Sequence, residues 1–519
     1  MKRLPGFGMI LLMILTANGL RSQHQTDEEY DKPLRIEIPA KSDNETYRVI
    51  PCGTTGVMLF FKSLESEEDT LSRWYFSFYD ENLQPIWAKG IPLPGQLNFQ
   101  SVIFKRDTLY MLFLPGEKEK QTRFILLRIG LFGAVFIANP AQMPQMASFA
   151  ALGIEKGKAI IAYNLKNASA RIQVLELSTG NSMSFAVSSD TISSLTDMTT
   201  DPGTGDMLVC IRKRISRTDN EYFLKKFDLQ GKSLATILIS PIVANWEIHS
   251  LRFFVRDSSE ILVLGTYGSP ARQKSTSKKT DHPESTGFFF SNILGNQQRN
   301  INFINFLELK NSDNLLGEKD ILELKKKSLK KNKSQREYSL DFNLLLHPLI
   351  RHNDQFILLA ETYYPQYHSE NFTDYDFYGR PFTSSYNIFD GYRFSNAIVA
   401  GFSRDGKLLW DNNIELRNLL SFQLNPEIVH YFSGNDIVLA YLSEGRIASK
   451  IIREDKVVEK LDFSSLDLLY PGDKLISETK SHLVNWYDRY FLAYGYQQIK
   501  NIIEGKKRLT FYMTKVRFE

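Results

Sequence analysis

The residues best suited to chemistry crowd into one stretch, Tyr363 to Phe394. It holds Tyr363, Tyr364, Tyr367, Tyr375, Tyr378 and Tyr392, with Phe372, Phe377, Phe382 and Phe389 among them. Arg380, Arg393, Asp374 and Asp390 are interleaved. Tyr and Phe bury large areas at small entropic cost, and Tyr keeps a hydroxyl for hydrogen bonding. That mixture suits a stacking platform for a sugar ring or a hot-spot surface for a protein. It suits equally a loop that folds back and plugs the fold with its own aromatics. Glu361 leads into the segment and Asp411 follows Trp410. A carboxylate beneath an aromatic lid could act as general acid or base if burial raised its pKa. Pairing with Arg380 or Arg393 is the simpler expectation for Glu361. The binding set read from sequence is therefore Glu361, Tyr363, Tyr364, Tyr367, Tyr375, Tyr378, Arg380, Tyr392, Arg393 and Asp411. No catalytic residue is assigned.

Other chemistry is sparse. The eight histidines are scattered, with His347 and His352 flanking a strand turn and His368 inside the aromatic segment. There is no G-x-S-x-G, P-loop or H-E-x-x-H motif. Cysteine and histidine spacing suggests no metal site, and no cofactor is expected. Cys52 and Cys210 lie in separate strand candidates and are expected to be unpaired core residues. With 63 basic and 59 acidic residues, the net charge of +4 lacks the clustered basic surplus of a nucleic-acid protein. N-x-S/T sequons occur at Asn44, Asn167, Asn332 and Asn371.

The elements that must carry these residues are strands. Apolar runs recur at Val57–Phe61, Leu109–Phe113, Ala159–Tyr163, Met207–Ile211, Ile261–Gly265, Phe356–Ala360, Ile437–Tyr441 and Phe491–Gly495, mostly roughly 50 residues apart. Within the first period, Thr46–Ile50, Val57–Phe61, Arg73–Tyr79 and Pro85–Trp87 alternate as strands, separated by Gly- and Asp-rich turns. Similar turns fall at Ser178–Asn181, Asp228–Lys232, Arg404–Lys407 and Arg453–Lys456. A repeated four-strand unit of this length is the signature of a β-propeller blade. The last unit ends without a fourth strand, whereas Leu34–Ile38 alternates with no hairpin partner. Residues 34–39 are thus expected to complete the last blade.

The expected fold is all-β: a single β-propeller over residues 34–519 with eight four-stranded blades, or seven if one unit is degenerate. Two insertions break the period. One, about 267–338, contains a flexible polar loop at Arg272–Glu284 and a lysine-rich helix at Gly317–Arg336; the other is the aromatic loop at 362–394. Residues 1–22 read as a signal peptide. Lys2 and Arg3 precede the apolar run Met9–Thr16, which is too short to span a bilayer, and Ala17 and Gly19 supply small residues before cleavage. The mature chain should be exported, periplasmic or extracellular, monomeric and without a transmembrane segment.

The segments Asp80–Trp87 and Arg404–Trp410 resemble the repeat of quinoprotein-like propellers, where a Gly-containing turn precedes a Trp that packs between blades. The Trp is missing after Gly180 and Gly231, and the adjacent cysteine pair of the quinoprotein dehydrogenases is missing too. The resemblance implies propeller geometry and gives no support to a quinone cofactor. Two functions fit this sequence: a non-enzymatic binding or scaffold module for a protein or glycan, or a carbohydrate-active hydrolase or lyase with a central-channel site.

Overall fold

The computed structural model describes residues 34–518, apart from 44–45, 69–70, 117–121, 189–191, 202, 216–219, 241–245, 258–259, 269–283, 312–339 and 376. The expected signal peptide, most of the polar loop and the lysine-rich helix lie outside these residues. Among the described residues there are strands and short 3-10 turns but no α-helix.

The strands form eight antiparallel sheets, each built on a path of four strands. In chain order they begin at Arg48, Leu97, Ala147, Ser193, Glu247, Asn343, Val429 and Asp473. We number them first to eighth. The sixth carries one extra short strand, Ile350–His352, beside Gln355–Tyr375. This is the strand content of an eight-bladed propeller. Every apolar run named above is the second strand of its sheet. These strands are buried on both faces, as Glu260–Gly268 shows along its whole length. The fourth strand is the more exposed in most sheets, as in Lys456–Ser465, whereas that of the sixth sheet, Leu408–Ser421, is half buried.

Alternate residues of each second strand pack in opposite directions, because successive strand side chains point to opposite faces. Met111 and Phe113 join the first sheet's Phe60 and Trp74, whereas Leu112 joins the third sheet's Ile161 and Tyr163. The alternation continues around the set. Val209 packs with the third sheet and Cys210 with the fifth; Leu264 and Leu358 join the fifth and sixth; Leu359 and Leu439 join the sixth and seventh. Ala440 and Phe491 join the seventh and eighth, and Leu492 and Phe511 of the eighth meet Val57 and Leu59 of the first. The packing order is therefore cyclic.

The chain's N-terminal strand completes the eighth sheet. Arg35–Pro39 pairs with Lys507–Arg517 from Arg35↔Thr514 to Pro39↔Thr510. The buried Arg35 guanidinium donates to Gln497 Oε1 at 2.7 Å, Thr514 Oγ1 at 3.2 Å and Glu37 Oε1 at 2.9 Å. It also lies 4.4 Å from the Tyr512 ring centroid. Cys52 and Cys210 are buried, unpaired and in different core clusters. Burial pushes both thiols up to about 12, so they stay protonated.

The Trp residues behave as inter-sheet anchors. Trp87 Nε1 of the first sheet donates to Leu131 O of the second at 2.8 Å. Trp410 packs into the cluster shared by the sixth and seventh sheets. Two of the third-to-fourth-strand turns share one device. Asp80 Oδ1 accepts from the N–H groups of Asn82 and Gln84, and Asp228 Oδ1 accepts from those of Gln230 and Lys232.

Candidate functional site

The aromatic segment is not a loop. It comprises the end of one and the beginning of the other of the two longest strands, Gln355–Tyr375 and Pro381–Phe402, with the turn between them; the two pair along their length. Their other neighbours stop early. Gln355–Tyr375 loses its first-strand partner at Tyr363, and Pro381–Phe402 meets its fourth-strand partner only from Tyr392 onward. From Tyr364 to Gly391 the pair stands alone as a two-stranded ribbon.

At the root, Tyr363 and Phe394 are core residues, and Tyr392 packs edge-on against Tyr363 at 5.6 Å. Burial pushes the Tyr363 hydroxyl well above its ordinary range. A bulge at Asp390 lies between the pairs Gln366↔Gly391 and Tyr367↔Phe389. Gly391 adopts φ 136°, and a Cβ there would sit 2.9 Å from Ser421 O, so the ribbon leaves the sheet at a position only glycine fits.

Beyond the root both faces are exposed. Cross-strand pairing sorts the side chains. One face carries hydroxyls and amides: Ser369 Oγ donates to Asn387 Oδ1 at 2.7 Å, Asn371 faces Ser385 and Thr373 faces Thr383. The other carries His368, Glu370, Phe372 and Asp374 beside Phe382, Tyr386, Ile388 and Asp390. Contacts across it include Phe372–Tyr386 at 5.8 Å and the His368 Nδ1–Asp390 ion pair. At the tip Phe377 is 97% exposed, Tyr378 80% and Tyr375 69%. These exposures exclude an aromatic plug.

The ten sequence-predicted residues separate into three groups. Tyr364, Tyr367, Tyr375 and Tyr378 are exposed on the ribbon, with Arg380 in its turn placing its guanidinium 5.9 Å from the Tyr378 ring. Tyr363, Tyr392 and Arg393 form the root, where Arg393 Nε donates to Gln366 Oε1 at 2.5 Å. Glu361 and Asp411 belong to neither. Asp411 is buried and accepts from the backbone N–H groups of Lys310 and Asn311 at 2.8 Å each.

Glu361 corrects the expected pairing with Arg380 or Arg393. It is fully buried, and its Oε1 lies 2.6 Å from His347 Nε2. The same carboxylate accepts from Glu427 N–H at 2.9 and 3.2 Å and from Ile428 N–H at 2.8 Å. It shares a strand face with Leu359 and Tyr363, which pack into the core between the sixth and seventh sheets. Its oxygens tie the sixth sheet to the start of the seventh.

Around Glu361 the fold gathers groups that sequence reading missed. Burial, reinforced by the Glu361 charge, pushes the Glu427 carboxyl up to about 7. Burial, then His347, pushes the His430 imidazole down to about 4. Burial pushes Tyr494 up to about 12, Arg48 opposing and Glu427 adding to the effect. No spacing rule links residues 347, 361, 427 and 430, because sheet-to-sheet packing brings them together. Among the described residues no group of His, Cys, Asp and Glu is placed to hold a metal ion. No described helix is long and apolar enough to cross a membrane.

No known protein family and no curated protein matches the chain. Solved structures are similar at a distance. A polysaccharide lyase is 11% identical, with 81% of this chain and 90% of that chain covered and a TM-score of 0.40. Dihydro-heme d1 dehydrogenase is 10% identical, with 93% and 79% covered and a TM-score of 0.41. A prolyl endopeptidase is 9% identical, with 81% of this chain but 50% of that one covered and a TM-score of 0.39. At these values the matches carry no argument about activity.

Proposed function

We propose that the chain is an exported, non-enzymatic binding or scaffold module, an eight-bladed β-propeller whose ribbon engages a protein or glycan partner. The observation that carries this reading is the exposure of the ribbon's aromatic side chains on both faces and at the tip. A two-stranded ribbon is marginal in water without a third layer. Exposed Tyr and Phe on such an element are what a binding hot spot requires. The cyclic packing of eight sheets supports propeller geometry, and the Trp87 anchor agrees with the quinoprotein-like resemblance at the level of fold. Export rests on the Lys2–Gly19 pattern.

The test is to replace residues 364–391 by an Asn-Gly turn and compare cross-linked partners and glycan-array binding with the full chain. Loss of one partner class with a melting temperature shifted by no more than a few degrees is expected. An unchanged partner set would overturn the proposal.

A second reading, a carbohydrate-active hydrolase or lyase, is favoured by one observation. Burial and the Glu361 charge push the Glu427 carboxyl up to about 7, the range a general acid or base requires. Its test is polysaccharide cleavage by the full chain compared with Glu427→Gln. Cleavage that vanishes in the variant would establish it, and no cleavage across neutral and acidic polysaccharides would dismiss it.

A further inference from the structure

We infer that the His368-bearing face of the ribbon docks an extended, cationic polypeptide segment with apolar residues between its Lys or Arg side chains; this rests on the binding-module reading and specifies its partner. Three carboxylates, Glu370, Asp374 and Asp390, stand on this face with Phe372, Phe382 and Tyr386. Phe372 is 47% exposed, Phe382 49% and Tyr386 53%. Tyr386 hydroxyl reaches Asp374 Oδ2 at 3.5 Å, so carboxylate and ring are adjacent. A guanidinium or ammonium set there meets a ring face and an acceptor oxygen together, the two interactions that recognise such cations. The opposite face has hydroxyls and amides instead and lacks this charge.

Charge also decides against a membrane surface. Anionic headgroups attract basic segments and would be repelled by these carboxylates. An extended segment fits because the ribbon repeats every second residue along each strand, matching the period of a strand laid across it.

His368 tunes the face. Its Nδ1 pairs with Asp390 and its Nε2 lies 3.4 Å from Glu370 Oε1. The charged groups that meet its ring are Glu370 from its own strand and Asp390 from the partner strand. Hydrogen bonds to Asp390 and Glu370 raise the imidazole above its ordinary value. The ring therefore keeps its positive charge further up the pH scale, and losing it leaves the face more negative.

The experiment measures fluorescence anisotropy of the full chain with a labelled Arg-Leu alternating decapeptide, its Glu-Leu counterpart and a neutral oligosaccharide. The cationic probe should bind at least tenfold more tightly than either. The isosteric Glu370→Gln/Asp374→Asn/Asp390→Asn variant should erase that preference, and Thr373→Ala/Thr383→Ala on the other face should retain it. Binding should tighten several-fold as pH rises from 6 to 8.5, and His368→Gln should flatten this dependence. A preference that survives the triple variant, or tighter binding of the oligosaccharide or the acidic probe, overturns the inference. The binding-module reading falls separately, only if the partner set is also unchanged when the ribbon is removed.

Discussion

Gly406 shows how closely single residues are constrained here. It sits in the third-to-fourth-strand turn of the sixth sheet at φ 77°, and a Cβ would fall 1.8 Å from the Phe290 ring of the fifth sheet. Gly406→Ala should therefore cost roughly 2–4 kcal/mol, because it adds backbone strain to overpacking. Gly133→Ala, at φ 79° but facing open space, should cost only about 1 kcal/mol. Urea melts of the two variants check the contrast, and equal losses would show that packing on Phe290 does not matter. Glu361→Ala should be more severe, about 3–5 kcal/mol, since it strands the buried N–H groups of Glu427 and Ile428 and removes the partner of His347. Glu427 predicts a pH signature. Its folded pKa lies above the ordinary glutamate value, so its contribution is present below the unfolded pKa and is lost as pH rises toward about 7. Relative to the native chain, Glu427→Gln should gain stability between about pH 4.5 and 7, up to roughly 3 kcal/mol. A difference that stays flat with pH would show that folding does not raise the Glu427 carboxyl. None of these pairings was legible in the sequence. Glu361 stood out as a carboxylate beside a core strand, but its partners come from another strand and another sheet.

At the scale of elements, the legible parts were those buried on both sides. Runs such as Ile437–Tyr441 are continuous because both faces of the second strand are covered, and continuous apolar runs survive any ambiguity of period. The Asp and Gly turns were equally readable, since Asp80 and Asp228 bond the backbone of their own turns. The ribbon was misread as a loop for the opposite reason. Neither of its faces is buried, so apolar and polar residues do not alternate along it, and Asn371, Ser384 and Gly391 resemble loop composition. Because its free part meets no other strand, removing residues 364–391 should shift the melting temperature by no more than a few degrees. A loss of cooperative melting would mean that the ribbon holds the sixth sheet together.

For the molecule as a whole, the decisive element is the strand that joins the two ends of the fold. Without Arg35–Pro39, Lys507–Arg517 becomes an edge whose backbone groups invite pairing between chains. Deleting residues 34–39 should produce oligomers visible by light scattering at micromolar concentration. Arg35→Met, which keeps the strand but removes its hydrogen bonds to Gln497 and Thr514, should lower stability without oligomers. A monomeric deletion variant would show that the edge is protected in another way. The count of sheets and the role of this strand were readable from an incomplete last period. The cyclic packing that makes the strand necessary was not, because it lies in contacts between sheets.

That closing strand also imposes an order in time. Ile38 accepts a hydrogen bond from Thr510, 472 positions further along the chain. Synthesis runs in one direction, so the segment around Ile38 must wait, unpaired, until Thr510 has emerged. Seven sheets can form as they appear, but the eighth cannot, and contacts of such separation are the slow ones in folding. A prematurely terminated chain would lack its lock and display a raw edge, making incomplete molecules recognisable to any protease or chaperone that samples exposed strands.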